Sequence, residues 1–177
     1  MSKSVRVAAA VLIGALTLGA CSSQGARTVP EGWQDERVGA LRLAVPPGWE
    51  RVEDVQGDYW TDAWQLVEGG DVVAQLAVEY DVLSNGPKAG LVIEHLLMTM
   101  PQMPGYEVVE RSPDPIDVDA DLAHARYVYD GADGTQLRGA LWAIGEGREQ
   151  PAAVQLTGAV DDELIDQVGE SLTFEPQ

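Results

Sequence analysis

The sequence is poor in several residue types that carry chemistry. Its 177 residues include one Cys, two His and one Phe, and lysine occurs only as Lys3 and Lys88. A single cysteine, Cys21, excludes an internal disulfide and a Cys-based metal centre. The two histidines, His95 and His124, lie far apart in sequence, and a proton-transfer role for either needs a positioned partner. Beyond residue 23 the serines are Ser84, Ser112 and Ser171. None sits in the Gly-x-Ser-x-Gly turn that exposes a hydrolase nucleophile. Bases are also scarce, 11 Lys and Arg against 29 Asp and Glu, for a formal charge of −18. Such a surface repels nucleic-acid phosphate and anionic headgroups alike, so nucleic acid is excluded as a partner and flat membrane binding by the domain itself is disfavoured. The chain is expected to be a non-enzyme without catalytic residue, cofactor or metal.

The amino terminus is organised differently. Lys3 and Arg6 precede an uncharged run, Val7–Leu18, which is too short for a bilayer span of about 20 residues. Leu18-Gly19-Ala20-Cys21 follows, then polar Ser22-Ser23-Gln24-Gly25. This arrangement resembles the lipobox of bacterial lipoproteins. The resemblance implies a diacylglyceryl group on the Cys21 sulfur and cleavage before it. The division is then a signal peptide at 1–20, a lipidated Cys and flexible tether at 21–37, and one domain at 38–177. Two acyl chains hold a protein on a membrane firmly, which places the domain on the outer face of the cytoplasmic membrane, in the cell envelope. No second apolar run spans a bilayer: Glu94 and His95 interrupt the longest, Leu91–Met100. Losing Lys3 and Arg6 takes the formal charge from −18 to −20. Abundant Arg, Ala, Val, Gly, Asp and Glu with little Lys point to a GC-rich, actinobacterial source.

Along the rest of the chain, alternation and turn residues predict strands at 39–45, 59–67, 72–80, 106–111, 122–129, 136–145 and 152–157. Helices are predicted at Lys88–Met100, ended by Pro101, and from an Asp161 cap to about Leu172. Most neighbouring strands are joined as hairpins. The fold class is therefore α+β, a mainly antiparallel sheet of about six to seven strands with two helices packed on it. Pro46-Pro47-Gly48-Trp49 after the first strand, an aromatic strand pair, a helix followed by Pro104-Gly105-Tyr106, meandering strands and a last helix ending in Ser171-Leu172 together resemble the PsbP-like fold. More narrowly, the chain is similar to the Lpq-type lipoproteins of mycobacteria and their relatives. The resemblance implies an α/β/α sandwich and carries over no functional residue, because a fold does not supply a site.

Three constellations remain. Asp117-Val118-Asp119-Ala120-Asp121 alternates carboxylates as Ca²⁺ loops do, but Leu122 and Val128 stand where the helix-loop-helix version needs Gly and Glu. It reads as an acidic loop leading into a strand. Trp60 and Trp64, spaced to share a strand face, could form a sugar platform or pack in the core; core packing is the expectation. The last helix has one apolar stripe, Leu164, Ile165, Val168 and Leu172. The first has Val92, Ile93, Leu96, Leu97 and Met100 on one side, and Leu91 and Met98 flanking His95 on the other. A helix apolar on both sides is covered or touches something. Leu91, His95 and Met98 are thus a candidate patch for an envelope protein or glycolipid partner, unless the segment around Trp33 covers them. The functional expectation is a non-catalytic binding module, accessory to envelope biogenesis or transport. A carrier of an apolar ligand and an envelope hydrolase are the alternatives.

Overall fold

The computed structural model describes residues 27–52, 60–80, 82–83, 87–99, 103–146 and 150–175. The expected signal peptide at 1–20, Cys21, Ser84 and Met100 lie outside the described residues.

Among the described residues, ten strands and two helices follow in the order β1 Gln34–Val38, β2 Leu41–Val45, β3 Glu50–Val52, β4 Asp62–Glu68, β5 Asp71–Glu79, α1 Ala89–Thr99, β6 Glu107–Ser112, β7 Leu122–Asp130, β8 Gln136–Ile144, β9 Ala152–Gly158, α2 Asp162–Ser171 and β10 Thr173–Phe174. The class is α+β and every strand pairing is antiparallel. Seven strands form one sheet in the order β3-β4-β5-β9-β8-β7-β6, and three form another, β1-β2-β10.

The large sheet is covered on both faces, so its central strands are apolar on both sides. In β8, Leu141 and Ala143 face α1, while Ala140, Trp142 and Ile144 face the small sheet and α2. On the α1 side the sheet offers alanines, Ala123, Ala125, Ala143 and Ala153, against Val92, Ile93 and Leu96. Small residues let the helix settle close to the sheet. On the other side Leu41, Leu43 and Val45 of β2 meet Trp64, Leu76, Val78, Val154 and Leu156, with Ile165 and Val168 of α2. Asp161 caps α2, its Oδ1 accepting from Leu164 N at 2.8 Å.

Three expectations need correction. Among the described residues regular structure begins at Gln34 rather than Val38, so the expected tether of 21–37 overlaps β1. The polar sequence of β1 hides it, because this edge strand buries little. The expected first strand belongs to the second sheet, because the turn at Pro46–Gly48 (Gly48 φ +85°) carries the chain away from it. Trp60 and Trp64 do not share a face: Trp60 precedes β4 and packs on the α1 side, while Trp64, 1 % exposed, lies in the opposite core. Ser171 is fully buried: its hydroxyl donates to Val168 O at 2.7 Å and accepts from Ala44 N at 3.0 Å, fastening α2 to β2.

Tyr80 fastens the β1–β2 turn to the large sheet. Its hydroxyl donates to Val38 O and accepts from Leu41 N at 2.5 Å. Gly39 (φ +55°) lets the ring approach, since a Cβ there would stand 3.0 Å from it. Burial pushes the Tyr80 hydroxyl from its usual 10.0 up to about 12. The folded state holds this proton more tightly than the unfolded one. Its contribution is therefore complete below pH 10 and declines as the pH rises towards 12. Tyr80→Phe should lower stability by roughly 1–3 kcal/mol, the cost of leaving Leu41 N unpaired. Denaturant melts at several pH values should also show a shallower alkaline decline in the variant; an unchanged slope would remove Tyr80 from the account.

Candidate functional site

The exposed face of α1 is assembled by the loop before β7. Gly90 N donates to Ala120 O at 3.2 Å, and Ala120 N to Asp117 O at 3.0 Å. A Cβ on Gly90 would stand 1.8 Å from Asp117 O, so only glycine admits this backbone contact. Asp117 Oδ1 accepts from Asp119 N at 3.0 Å, Asp121 pairs with Lys88, and Asp121 O accepts from Gly145 N at 2.9 Å. The acidic loop thus docks the start of α1. Among the described residues, no three His, Cys, Asp or Glu side chains gather as a metal-binding group.

With α1 docked this way, Val92, Ile93 and Leu96 are buried, whereas Leu91 is 43 % and Met98 72 % exposed. They lie two turns apart with His95 between them, half-buried. Val118, 48 % exposed, adjoins Gly90 and adds apolar surface at the helix start. Trp33 packs in the core on the other side of the large sheet, so it does not cover these residues.

A concavity elsewhere was not expected from sequence. Between α2 and strands β8 and β7 of the large sheet, one strand in from its β6 edge, lies a cleft of about 260 Å³. Its floor is Trp142 and Ile144 of β8 with Leu122, His124 and Arg126 of β7, and its wall is the Ile165–Leu172 side of α2. Arg126 reaches Asp166 across it and lies 3.3 Å from Glu110 Oε2, while Glu110 Oε1 lies 3.4 Å from His124 Nε2. Ser112 stands opposite His124 in the β6–β7 register. The only sequence hint of the cleft was the His124-Ala125-Arg126 alternation, which places two polar residues on one strand face.

A third feature is a tyrosine cluster on the α1 side of the sheet. The Tyr127 ring lies over Gly139, its register partner, where a Cβ would stand 2.3 Å from the ring. Tyr106 and Tyr129 flank it at centroid distances of 5.3 and 6.1 Å. Gln155 Nε2 donates to the Tyr127 hydroxyl at 3.0 Å, and Thr157 Oγ1 to that of Tyr129 at 3.0 Å. Burial pushes the Tyr127 hydroxyl far above its usual range. The remaining tryptophans form no open platform, as Trp49 and Trp142 are buried.

These features define a two-sheet α+β domain with an exposed apolar helix face and a partly charged cleft. No protein-family model and no curated protein matches the sequence. Among solved structures, the Saccharomyces cerevisiae Ran-binding protein Mog1p is similar at a TM-score of 0.46 and 12 % identity, over 78 % of this chain and 84 % of that one. A protein from Bacteroides thetaiotaomicron is similar at a TM-score of 0.41 and 13 % identity, over 78 % of this chain and 46 % of that one. Neither likeness carries an argument about function.

Proposed function

We propose that this chain is a cell-envelope lipoprotein of the Lpq type with a PsbP-like domain. It is anchored through a diacylglyceryl group on Cys21 and acts as a non-catalytic binding module accessory to envelope biogenesis or transport. The observation that carries the binding role is the exposure of Leu91 and Met98 around His95 on a helix whose other face is fully packed. A docked helix has no structural need for two large apolar residues in water; an apolar partner surface would give them one. The leader and Leu18-Gly19-Ala20-Cys21 support the anchor.

The test is a pull-down from membranes with the anchored protein and with a Leu91→Gln/Met98→Gln variant, read by mass spectrometry. Both sites are exposed, so the variant should keep its stability within about 0.5 kcal/mol while losing its partner. Retention of the same partner by the folded variant would overturn the assignment to α1. The cleft favours a second reading, a carrier of an apolar ligand, because Trp142 and Ile144 line its floor. A small molecule carried through purification and seen by native mass spectrometry would move the function there.

A further inference from the structure

The chain's entry into the fold fixes more than an anchor would. Arg27 Nε donates to Ser171 O at 2.7 Å, Thr28 N donates to Glu170 O at 3.3 Å, and Arg27 pairs with Asp35 at 2.6 Å. From Arg27 onward the chain is therefore held against α2 and β1. Six residue steps separate Arg27 from Cys21, a reach of roughly 20 Å at full extension. A lipid on Cys21 would hold the small sheet within that distance of the bilayer, whereas a tether running to residue 37 would leave the domain free to tumble.

The surface at that entry has its own charge. The sheet β1-β2-β10 buries Leu41, Leu43 and Val45 and turns Arg37 and Arg42, which are register partners, to the opposite face. Arg27 lies beside them, so this face holds three of the nine bases beyond the leader. Two acids answer them: Asp35 pairs with Arg27 and Arg42, and Glu175 lies 3.4 Å from Arg42 and 3.7 Å from Arg37. With the Arg27 side chain only 16 % exposed, the outward charges are Arg37 and Arg42 against Asp35 and Glu175, a balanced patch on a domain of formal charge −20 and so a face that an anionic surface repels less than the rest. Val29, 39 % exposed, adds an apolar residue at the same entry. The outward acids of α2, Glu163 and Glu170, oppose approach of that helix to an anionic surface. They tilt the contact onto the sheet.

We propose that the outer face of the β1-β2-β10 sheet, through Arg37 and Arg42, rests on the anionic phospholipid headgroups of the bilayer that holds the Cys21 lipid. This rests on the anchoring reading above. It also orients the rest of the molecule. α1 lies on the far side of the large sheet, so Leu91, His95 and Met98 point away from the membrane into the envelope space.

The test reconstitutes the full chain, purified from membranes of an expressing bacterium, into phosphatidylcholine vesicles with and without phosphatidylglycerol. A phospholipid bearing a photoreactive headgroup is included, and cross-linked residues are mapped by mass spectrometry. Labelling is expected in 27–42 and 173–175 and not in α1. It should increase with phosphatidylglycerol and fall about fivefold per arginine removed in Arg37→Ser and Arg42→Ser, whose folding is checked by circular dichroism. Labelling spread evenly over the domain, or centred on α1 or β6, would overturn the proposal. If the purified chain carries no lipid, the anchoring reading fails on its own. The surface is then tested by coupling the Cys21 sulfur, the sole thiol, to a maleimide phospholipid in the same vesicles, with the same two outcomes.

Discussion

Gly90→Ala is expected to cost about 3 kcal/mol, the upper end for forcing a methyl group into a closed contact, and to lower the melting temperature by about 10 °C. The added methyl is small, but its position is severe. It would stand 1.8 Å from Asp117 O and 2.8 Å from Asp117 C, both backbone atoms of the loop that docks the helix. Neither moves without breaking Gly90 N–Ala120 O or Ala120 N–Asp117 O. An exposed helix position would instead gain from Gly→Ala, by about 1 kcal/mol, so the sign of the effect reports the contact. Denaturant melts of Gly90→Ala beside Leu91→Gln make the comparison one residue apart. A neutral or stabilising Gly90→Ala would mean that α1 is not docked on this loop and that its exposed face is misplaced.

Trp142→Ala should be of similar or larger size, about 3–5 kcal/mol as for other buried aromatics. Trp142 lies between β9, where Val154 is its register partner, and α2, where a Cβ on Gly169 would stand 2.9 Å from the indole Nε1. Removing the ring empties the floor of the cleft and takes away the surface on which α2 settles. The fluorescence-detected urea midpoint should shift accordingly, with Trp142→Phe between the two. A loss below about 1 kcal/mol would show that α2 can close the gap, contrary to the tight packing of this core.

Much of the fold was legible because local signals agreed with tertiary demands. The Asp161 cap and the Leu164, Ile165, Val168, Leu172 stripe placed α2 within a residue or two. Turn residues such as Gly69-Gly70 and Asp133-Gly134 marked the β4–β5 and β7–β8 hairpins. The same reasoning separated the faces of α1. What it missed were short or polar strands whose identity depends on a neighbour. β1 reads as Gln-Asp-Glu-Arg-Val and is a strand because β2 lies beside it, and β10 is only two residues long. The second sheet was invisible for that reason. The cleft and the small-sheet arginines were also out of reach, since Arg27, Arg37, Arg42 and Glu175 meet only through pairing of the chain's two ends. Total charge pointed away from any contact of the domain with a membrane. Local placement of three arginines beside the chain entry is what reopens that question. Gly90 and Gly139 read as ordinary glycines because the backbone and the ring that require them come from distant positions.

The most direct test of the account is the mass of the chain isolated from membranes of a bacterium expressing the full sequence. The account predicts a protein that begins at Cys21, carries a diacylglyceryl group on its sulfur and leaves the membrane only with detergent. A chain that retains residues 1–20, or a free Cys21 thiol on a protein released by salt, would contradict it.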